Sequence, residues 1–386
     1  MKQIVSDRAK KLTNISLQAM KHENDEVWMA KTLQAAERGR GSVSPNPMVG
    51  AVIVKAGKQI AVGHHAFYGG PHAEVQALAK AGPRARGATL YVNLEPCSTW
   101  GKTPPCTEAL IRSGIKKIVI AMVDPNPANH KKGITFLRKR GISVTEGVLK
   151  EAAASLNQGF FTLISKKRPF VTLKMAQSLD GKIATFTGES RWITSPTARE
   201  YVQELRARHD AVLVGFNTAF LDNPSLTVRS ENKAAVRPWR VILDPDARIK
   251  SSAKVFRGAP VTIRVVSRNT AERKAKAGNH KQKSEIILPC EISPDGKIDL
   301  KDLLRRLGEC GVTSLLVEGG GETAWSFIRA GLVDRVLLFL APKIIGGRDA
   351  KTSVEGDGVR SLEKAYKLRN MHVIPVGDDL LIEGEL

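Results

Sequence analysis

Several features are scarce in this sequence, and each scarcity excludes a class of protein. Only four of the 386 residues are cysteine, too few for a disulfide scaffold, so we expect a cytoplasmic protein. No apolar run approaches the roughly 20 residues of a membrane-spanning helix. The first residues contain no apolar stretch of the about 7–15 residues typical of a secretion signal. Aromatic residues make up only 5%, and none interleaves with an arginine-rich run of the kind that binds nucleic acid.

Acidic residues are also few relative to basic ones. The chain has 60 Lys and Arg against 38 Asp and Glu, which gives a net charge of +22. Such an excess favours an anionic partner, either nucleic acid or a phosphorylated small molecule. The basic residues are spread along the chain, however, which is also typical of an ordinary solvated surface. Charge alone therefore does not identify a partner.

The length predicts two domains, and the alternation of helical and strand patterns predicts that both are α/β. We expect a basic N-terminal extension at residues 1–24 and a first domain at 25–148. A linker helix and connector at 149–169 then lead to a second domain at 170–386. Residues 268–283 are polar and basic, and we expect them to form an exposed loop or insertion.

A metal-binding motif lies in the first domain. It consists of His72, Glu74 two residues later, Cys97 and Cys106. An imidazole and two thiolates can hold Zn²⁺ and leave a fourth position for water, which Glu74 can reach as the acid–base of a zinc deaminase. Eight residues separate the cysteines instead of two; both sulfurs still reach one metal if Cys97 follows a strand and Cys106 begins a helix. Ordinary core residues are the alternative.

The second domain contains a candidate anion-binding loop. A strand ending at Glu318 leads into three glycines, 319–321, and then a helix. Bare backbone N–H groups at a helix N-terminus attract anions, although tight turns give the same pattern. Polar segments at 176–182 and 214–218 follow two other strands, and such strand ends are where α/β proteins bind ligands.

Eight segments, spread from about residue 25 onward, carry a resemblance to a known family. They are PNPMVGAVIV, PHAEV, LEPCSTWGKTPPC, DPNP, LKMAQSLDGKIA, GESRWIT, LDNPSLTVR and EGGGETAW. With them the chain resembles the bifunctional riboflavin-biosynthesis proteins, in which a pyrimidine deaminase is fused to a uracil reductase. The resemblance implies a cytidine-deaminase-like zinc domain followed by a dihydrofolate-reductase-like domain that uses NADPH.

The resemblance also implies the substrates and the assembly. The zinc domain would deaminate 2,5-diamino-6-(5-phosphoribosylamino)pyrimidin-4-one, and the second domain would reduce the ribosyl chain of the resulting uracil to ribityl. We expect one Zn²⁺ per chain, NADPH, a homo-oligomer, and neither a nucleic-acid nor a membrane partner.

Individual site residues are implied by the same resemblance. Positions that match NADPH contacts are Ala176, Trp192, Thr218, Asp222, Gly320, Gly321, Glu322, Thr323, Ala324, Trp325 and Ser326. Positions that match substrate contacts are Asn46, Lys174, Ser190, Arg206, Leu226, Arg229 and Glu318. Arg206 and Arg229 suit a phosphate, because a guanidinium binds it bidentately. Lys174 and Asp222 are both candidates for supplying a proton. Asn46 as a turn residue and Trp192 as a core aromatic are the alternatives.

Two residues depart from the family pattern. Thr99 stands where histidine is usual, and it can form a hydrogen bond but cannot carry a proton near pH 7. Lys131 stands where glycine is usual. We expect His64 and His65 to be surface or loop residues, since three protein ligands suffice for zinc.

Two other functions stay open at this point. A nucleic-acid deaminase would suit the positive charge, but it would have no use for the second domain. A protein in which only the reductase works would suit the missing histidine at Thr99.

Overall fold

The computed structural model describes residues 25–228, 237–258, 260–276 and 285–386. The predicted extension at 1–24, the candidate Arg229 and residues 277–283 of the predicted loop lie outside the described residues. The chain divides into two compact units, Met1–Lys166 and Lys167–Leu386. The domain boundaries drawn from the sequence stay a prediction.

The first unit is built on a five-stranded sheet in the order β2-β1-β3-β4-β5. Its strands are β1 (Gly50–Lys55), β2 (Lys58–His64), β3 (Thr89–Leu94), β4 (Lys117–Met122) and β5 (Ser143–Glu146). Its helices are α1 (Asp25–Ala36), α2 (Ala73–Ala81), α3 (Cys106–Ser113), α4 (Lys132–Lys139), α5 (Lys150–Leu156) and α6 (Gln158–Lys166). Strand β1 is antiparallel to β2 and β3, whereas β3, β4 and β5 are parallel.

Alternation along the strands gives this sheet an apolar core on each face. Ile118 and Ile120 of β4 pack with residues of α2, α3 and α4. Val119 and Ala121 of the same strand pack on the opposite face with residues of α1 and α5. Because successive side chains of a strand point to opposite faces, a continuous apolar run is what a sheet covered on both sides requires.

The second unit is built on a nine-stranded sheet in the order β10-β9-β8-β7-β11-β6-β12-β14-β13. Its strands are β6 (Phe170–Ser178), β7 (Ala211–Val214), β8 (Trp239–Leu243), β9 (Thr262–Ser267), β10 (Glu285–Cys290), β11 (Ser314–Val317), β12 (Arg335–Ala341), β13 (Arg369–Val376) and β14 (Asp379–Glu385). Its helices are α7 (Pro196–Ala207), α8 (Phe216–Leu221), α9 (Arg268–Lys276), α10 (Leu300–Glu309) and α11 (Gly321–Arg329).

The seven strands from β10 to β12 in this order are parallel, and β14 and β13 are antiparallel additions at one side. One face of the sheet packs against α10 and α11, and the other packs against α7. The carboxyl ends of β6, β7 and β11 therefore lie side by side, and the candidate segments 176–182, 214–218 and 319–321 lie at or just after these ends.

Two sequence-based predictions differ from the structure. Residues 268–276 form helix α9, so the prediction of an exposed loop is wrong there. The segment is rich in Arg, Lys, Ala and Glu, which favour helix. The Ser267 hydroxyl caps the helix by accepting from the Thr270 N–H (3.2 Å). In place of the single linker helix there are two, α5 and α6. Asn157 separates the two helices. Its side chain accepts a hydrogen bond from the Met48 N–H (2.8 Å) and donates one to the Met48 carbonyl oxygen (3.0 Å). Among the described residues, no helix is long and apolar enough to cross a membrane.

Candidate active sites

The structure brings the three predicted zinc ligands together. The ligand atoms of His72, Cys97 and Cys106 all lie within 4.8 Å of one another. His72 Nδ1 lies 3.2 Å from Cys106 Sγ and 3.5 Å from Cys97 Sγ. One imidazole nitrogen and two sulfurs facing a common point are a donor set that fits Zn²⁺ and leaves one tetrahedral position open.

Local structure explains how residues so far apart in sequence meet. Cys97 follows β3 by three residues, and Cys106 is the first residue of α3, so both conditions for the long cysteine spacing are met. His72 is the N-cap residue of α2. Helix α2 begins close to the sheet because Gly63 of β2 has no side chain; a Cβ there would lie 2.2 Å from the Ala73 carbonyl oxygen.

Electrostatics favour a thiolate in this cluster. A hydrogen bond from Cys106 lowers the pKa of Cys97 to about 4, and hydrogen bonds from His72 and the Cys106 backbone N–H act in the same direction. The Cys106 N–H lies 3.3 Å from Cys97 Sγ. The same thiol–thiol contact raises the pKa of Cys106, and the contact with Cys97 raises the pKa of His72. The Cys97 thiolate is the form of the side chain that binds a metal ion.

Glu74 lies beside this cluster without belonging to it. Its carboxyl is in the first turn of α2 and only 3% exposed. Burial, reinforced by the negative charge of Cys97, raises the pKa of Glu74 to about 7. A carboxyl group with a pKa close to neutrality can both accept and return a proton, which is what general acid–base catalysis requires.

Asn46 is held by a histidine whose role the sequence did not reveal. Its side-chain nitrogen lies 3.2 Å from His65 Nε2, and His65 Nδ1 lies 3.2 Å from the Pro71 carbonyl oxygen. A carbonyl only accepts, so Nδ1 carries the hydrogen and Nε2 accepts from the Asn46 amide. The side-chain oxygen of Asn46 is then the atom that can receive a substrate N–H.

His65 corrects one sequence-based expectation. It lies in the loop after β2, as one reading proposed, but it is buried and only 2% exposed, so it is not a surface residue. Burial lowers the pKa of His65, which agrees with the neutral ring that these hydrogen bonds require. Asn46 and His65 are 19 residues apart, so no local sequence pattern indicates their contact.

The two departures from the family pattern lie at the surface of the first unit. Thr99 is exposed in the loop after Cys97. Lys131 has a left-handed backbone with φ 57°, which explains why glycine suits that position, and its N–H donates to the Glu95 carboxylate (3.0 Å). Lys131 also lines a shallow pocket of about 380 Å³ together with His130 and Lys132.

In the second unit, two glycines allow α11 to begin tightly against the strand ends. A Cβ on Gly215 would lie 2.3 Å from Thr323 Oγ1, and one on Gly319 would lie 2.4 Å from Thr323 Cβ. Gly320 instead faces open space, where the nearest atom to a Cβ would be Thr218 Oγ1 at 3.8 Å. The N-terminus of α11 therefore presents bare backbone beside Thr218.

The expected NADPH residues fall into two groups. Those that are exposed or half-buried are Ala176, Trp192, Thr218, Asp222, Gly320, Glu322, Thr323 and Ser326. Gly321, Ala324 and Trp325 are buried, so packing is the role that the structure shows for them. Trp192 is 60% exposed, and the Arg199 guanidinium lies 4.5 Å from its ring centroid, so the alternative of a core aromatic is wrong.

Arg206 and Glu318, two of the expected substrate residues, form a bidentate ion pair. The guanidinium Nε and Nη2 atoms lie 2.6 and 2.8 Å from the two carboxylate oxygens. The side chains are only 16% and 9% exposed. The Arg206 guanidinium, which we expected to bind a phosphate, thus binds Glu318, while its Nη1 lies 3.4 Å from the Thr227 carbonyl oxygen.

Lys174 is the third member of this polar group. Leu173 and Val317 pair across β6 and β11, so Lys174 and Glu318 follow at neighbouring positions. Burial lowers the pKa of Lys174, although Glu318 opposes this effect. Burial by itself would raise the pKa of Glu318, but Arg206 and Lys174 outweigh it and hold that pKa below its ordinary value.

The remaining expected substrate residues are less informative. Ser190 is half-buried in the loop after β6. Leu226 is 4% exposed and packs in the core, and its backbone has a left-handed φ of 47°. Asp222, which belongs to the expected NADPH contacts, is exposed, and its carbonyl oxygen accepts from Arg191 (3.1 Å).

Comparison with known proteins agrees with both units. Residues 22–122 match the cytidine and deoxycytidylate deaminase zinc-binding region, and residues 169–382 match the RibD C-terminal domain. The chain is 45% identical to the riboflavin biosynthesis protein RibD of Aquifex aeolicus, over 94% of this chain and 99% of that protein. It is 38% identical to the Escherichia coli protein of the same name, over 93% and 98%.

Solved structures give the same result. Acinetobacter baumannii RibD superposes with a TM-score of 0.83 at 37% identity, covering 94% of this chain and 98% of that one. A diaminohydroxyphosphoribosylaminopyrimidine deaminase/5-amino-6-(5-phosphoribosylamino)uracil reductase from Thermotoga maritima superposes with a TM-score of 0.81 at 38% identity, with the same coverage.

Fold and site together define a zinc deaminase joined to a reductase, with zinc and NADPH as the cofactors of the two units. This is an enzyme that acts on small molecules in riboflavin biosynthesis. The chain belongs to the RibD family of riboflavin biosynthesis proteins. The alternative of a nucleic-acid deaminase is thereby set aside, since the match extends over the second unit.

Proposed function

We propose that the chain catalyses two consecutive reactions on one phosphorylated pyrimidine. The first is hydrolytic deamination of 2,5-diamino-6-(5-phosphoribosylamino)pyrimidin-4(3H)-one. The second is NADPH-dependent reduction of 5-amino-6-(5-phosphoribosylamino)uracil to the ribitylamino product. The observation that carries the proposal is the cluster of His72, Cys97 and Cys106 beside the buried carboxyl of Glu74. The similar Thermotoga maritima protein is named for both reactions.

In the deamination, Glu74 is the catalytic acid–base. Zinc, held by His72, Cys97 and Cys106, would lower the pKa of water to about 7 and so supply a nucleophile at neutral pH. The Glu74 carboxylate would accept a proton from the attacking water and give it to the nitrogen of the leaving amino group, which departs as ammonia; its pKa of about 7 suits both transfers. Asn46, oriented by His65, accepts a hydrogen bond from a ring N–H of the substrate. We propose one zinc per chain, because the described residues contain one cluster of this kind.

In the reduction, the chain orients two ligands at the carboxyl ends of its parallel strands. NADPH, when bound, supplies the hydride for C1′ of the sugar. The N-terminus of α11 offers backbone N–H groups to the cofactor phosphates beside Thr218, and Trp192 and Asp222 are exposed and free to meet the rest of the cofactor.

We assign the proton donor of the reduction to Lys174 instead of Asp222. Burial lowers the pKa of Lys174, and a lowered pKa makes an ammonium group a better proton donor. Glu318, held by Arg206, acts on the lysine only through its charge, which favours the ammonium form that donates the proton. The groups that remain to bind the substrate phosphate are then Nη1 of Arg206 and the sequence-based candidate Arg229.

We also propose a homo-oligomer in the cytoplasm. Strand β13 is an outer strand of its sheet, and its Met371 and Val373 side chains are 59% and 54% exposed. An exposed apolar edge can pair with another chain, and a second copy is the commonest partner of this kind. The cytoplasm suits the two site thiols, which must stay reduced to bind metal.

A coupled assay on the diamino substrate tests the proposal. Purified protein should release ammonia and then oxidise NADPH, and it should contain zinc near one per chain. If the uracil substrate drives NADPH oxidation but the diamino substrate releases no ammonia, only the reductase works, as the exposed Thr99 in place of histidine would allow. If neither reaction occurs, the proposal is wrong.

A further inference from the structure

We propose that Thr103 is a positioning residue for the metal ligand His72, and that the eight-residue loop between Cys97 and Cys106 brings it there. This inference rests on the proposed zinc-dependent deamination and deepens it. It assigns a role to the unusual cysteine spacing, which the catalytic residues alone leave unexplained.

The two nitrogens of the His72 ring point to different partners. Nδ1 faces the two sulfurs at 3.2 and 3.5 Å, whereas Nε2 lies 3.3 Å from Thr103 Oγ1. A neutral imidazole offers a lone pair from only one nitrogen, and the other carries the hydrogen. With Nδ1 directed at the metal position, Nε2–H donates to the Thr103 hydroxyl. This hydrogen bond fixes the tautomer and the orientation of the ring.

The loop that carries Thr103 is anchored at both ends. On one side the Lys102 ammonium lies 3.9 Å from the Tyr68 ring centroid, and the Gly101 N–H donates to the Thr103 carbonyl oxygen (3.3 Å). On the other side Pro104 and Pro105 restrict the backbone up to the start of α3. The hydroxyl is therefore held beside His72 Nε2 by a loop with contacts on both sides of Thr103.

Spacing explains why a shorter loop would lack this contact. A two-residue connection between the thiolates has no residue to spare beyond the turn itself. Here the six additional residues let the loop place Thr103 beside His72 before the chain reaches Cys106. Residues that orient a metal-bound histidine typically contribute about 10–100-fold in metal affinity.

Zinc affinity of the full chain, measured by competition with a chromogenic chelator, tests the assignment. Thr103→Val keeps the shape of the side chain but cannot accept a hydrogen bond, so its affinity should fall about 10–100-fold. Thr103→Ser keeps the hydroxyl and should bind zinc nearly as tightly as the unchanged protein. Thr135→Val is the matched control, because the Thr135 hydroxyl bonds only to the Lys131 carbonyl oxygen at the exposed start of α4.

The outcomes separate this role from the proposed function. Undiminished zinc affinity in T103V, or equal loss in T103V and T103S, would overturn the role of Thr103 and leave the deamination intact. If the unchanged protein binds no zinc at all, the proposed deamination fails, and the role of Thr103 fails with it. Should T103V not fold, Thr103→Ala compared with T103S gives the same decision.

Discussion

Replacing Glu74 by glutamine should abolish most of the deamination and leave the rest of the protein unchanged. Glutamine has nearly the same size but cannot transfer a proton at neutral pH. General acid–base catalysis is worth about 10²–10⁴-fold in rate, which corresponds to about 3–5 kcal/mol of transition-state stabilisation. We expect the upper part of this range, because Glu74 is only 3% exposed and solvent has little access to replace it.

Ammonia release from the diamino substrate measures this loss directly. Zinc content should stay unchanged, since Glu74 is not one of the three residues whose donor atoms cluster. NADPH oxidation with the uracil substrate should also stay unchanged, since it depends on the second unit. Glu108→Gln is the matched control, because the Glu108 side chain is 42% exposed on α3 and its ion pair among the described residues is with Arg112 (3.4 Å).

Two results would refute the reasoning. If E74Q releases ammonia within tenfold of the unchanged protein, Glu74 does not carry the proton. If E74Q loses its zinc, the carboxyl helps to hold the metal, and the separation of ligands from acid–base is mistaken.

Four further predictions concern zinc and the second unit. Removing zinc with a chelator should stop ammonia release but leave NADPH oxidation with the uracil substrate intact. Glu318→Ala should cost about 3–5 kcal/mol in denaturant unfolding, because it leaves a largely buried arginine unpaired, and it should also slow NADPH oxidation. Gly319→Ala should raise the KM for NADPH more than it lowers kcat and destabilise by about 1–3 kcal/mol, because its Cβ would lie 2.4 Å from Thr323 Cβ. Asp180→Asn should lower the melting temperature most above pH 3.8, and the difference from the unchanged protein should vanish as pH falls to about 2. The reason is that the Ser178 hydroxyl and two backbone N–H groups lower the pKa of Asp180 to about 2. The ionised form therefore stabilises the fold only above that pKa.

The metal site could be predicted from the sequence because its parts are tied to regular structure. His72 and Glu74 are two residues apart at the start of a helix, and Cys97 and Cys106 flank a strand end and a helix start. Apolar periodicity locates such helices and strands, and their order along the chain indicates which strand ends and helix starts lie together. The two α/β units followed from the same periodicity.

The Arg206–Glu318 pair shows what the sequence could not give. The residues are 112 positions apart, and nothing local distinguishes an arginine that binds a phosphate from one that binds a carboxylate. The contacts of Asn46 with His65 and of Thr103 with His72 were missed for the same reason. Side-chain partners across a fold are set by tertiary packing, which periodicity does not encode.

A motif match identifies positions, but it does not say which atoms face the ligand. Within EGGGETAW, Thr323 packs beneath Gly319 and Gly215, while Ala324 and Trp325 lie in the core. These residues hold the N-terminus of α11 in place, and Gly320 is the member whose backbone faces open space. A substitution at Ala324 should therefore act on stability, and one at Gly320 on cofactor affinity, although both belong to the same motif. A family motif combines residues that stabilise the fold with residues that face the cofactor, and only the packing in the structure distinguishes the two kinds.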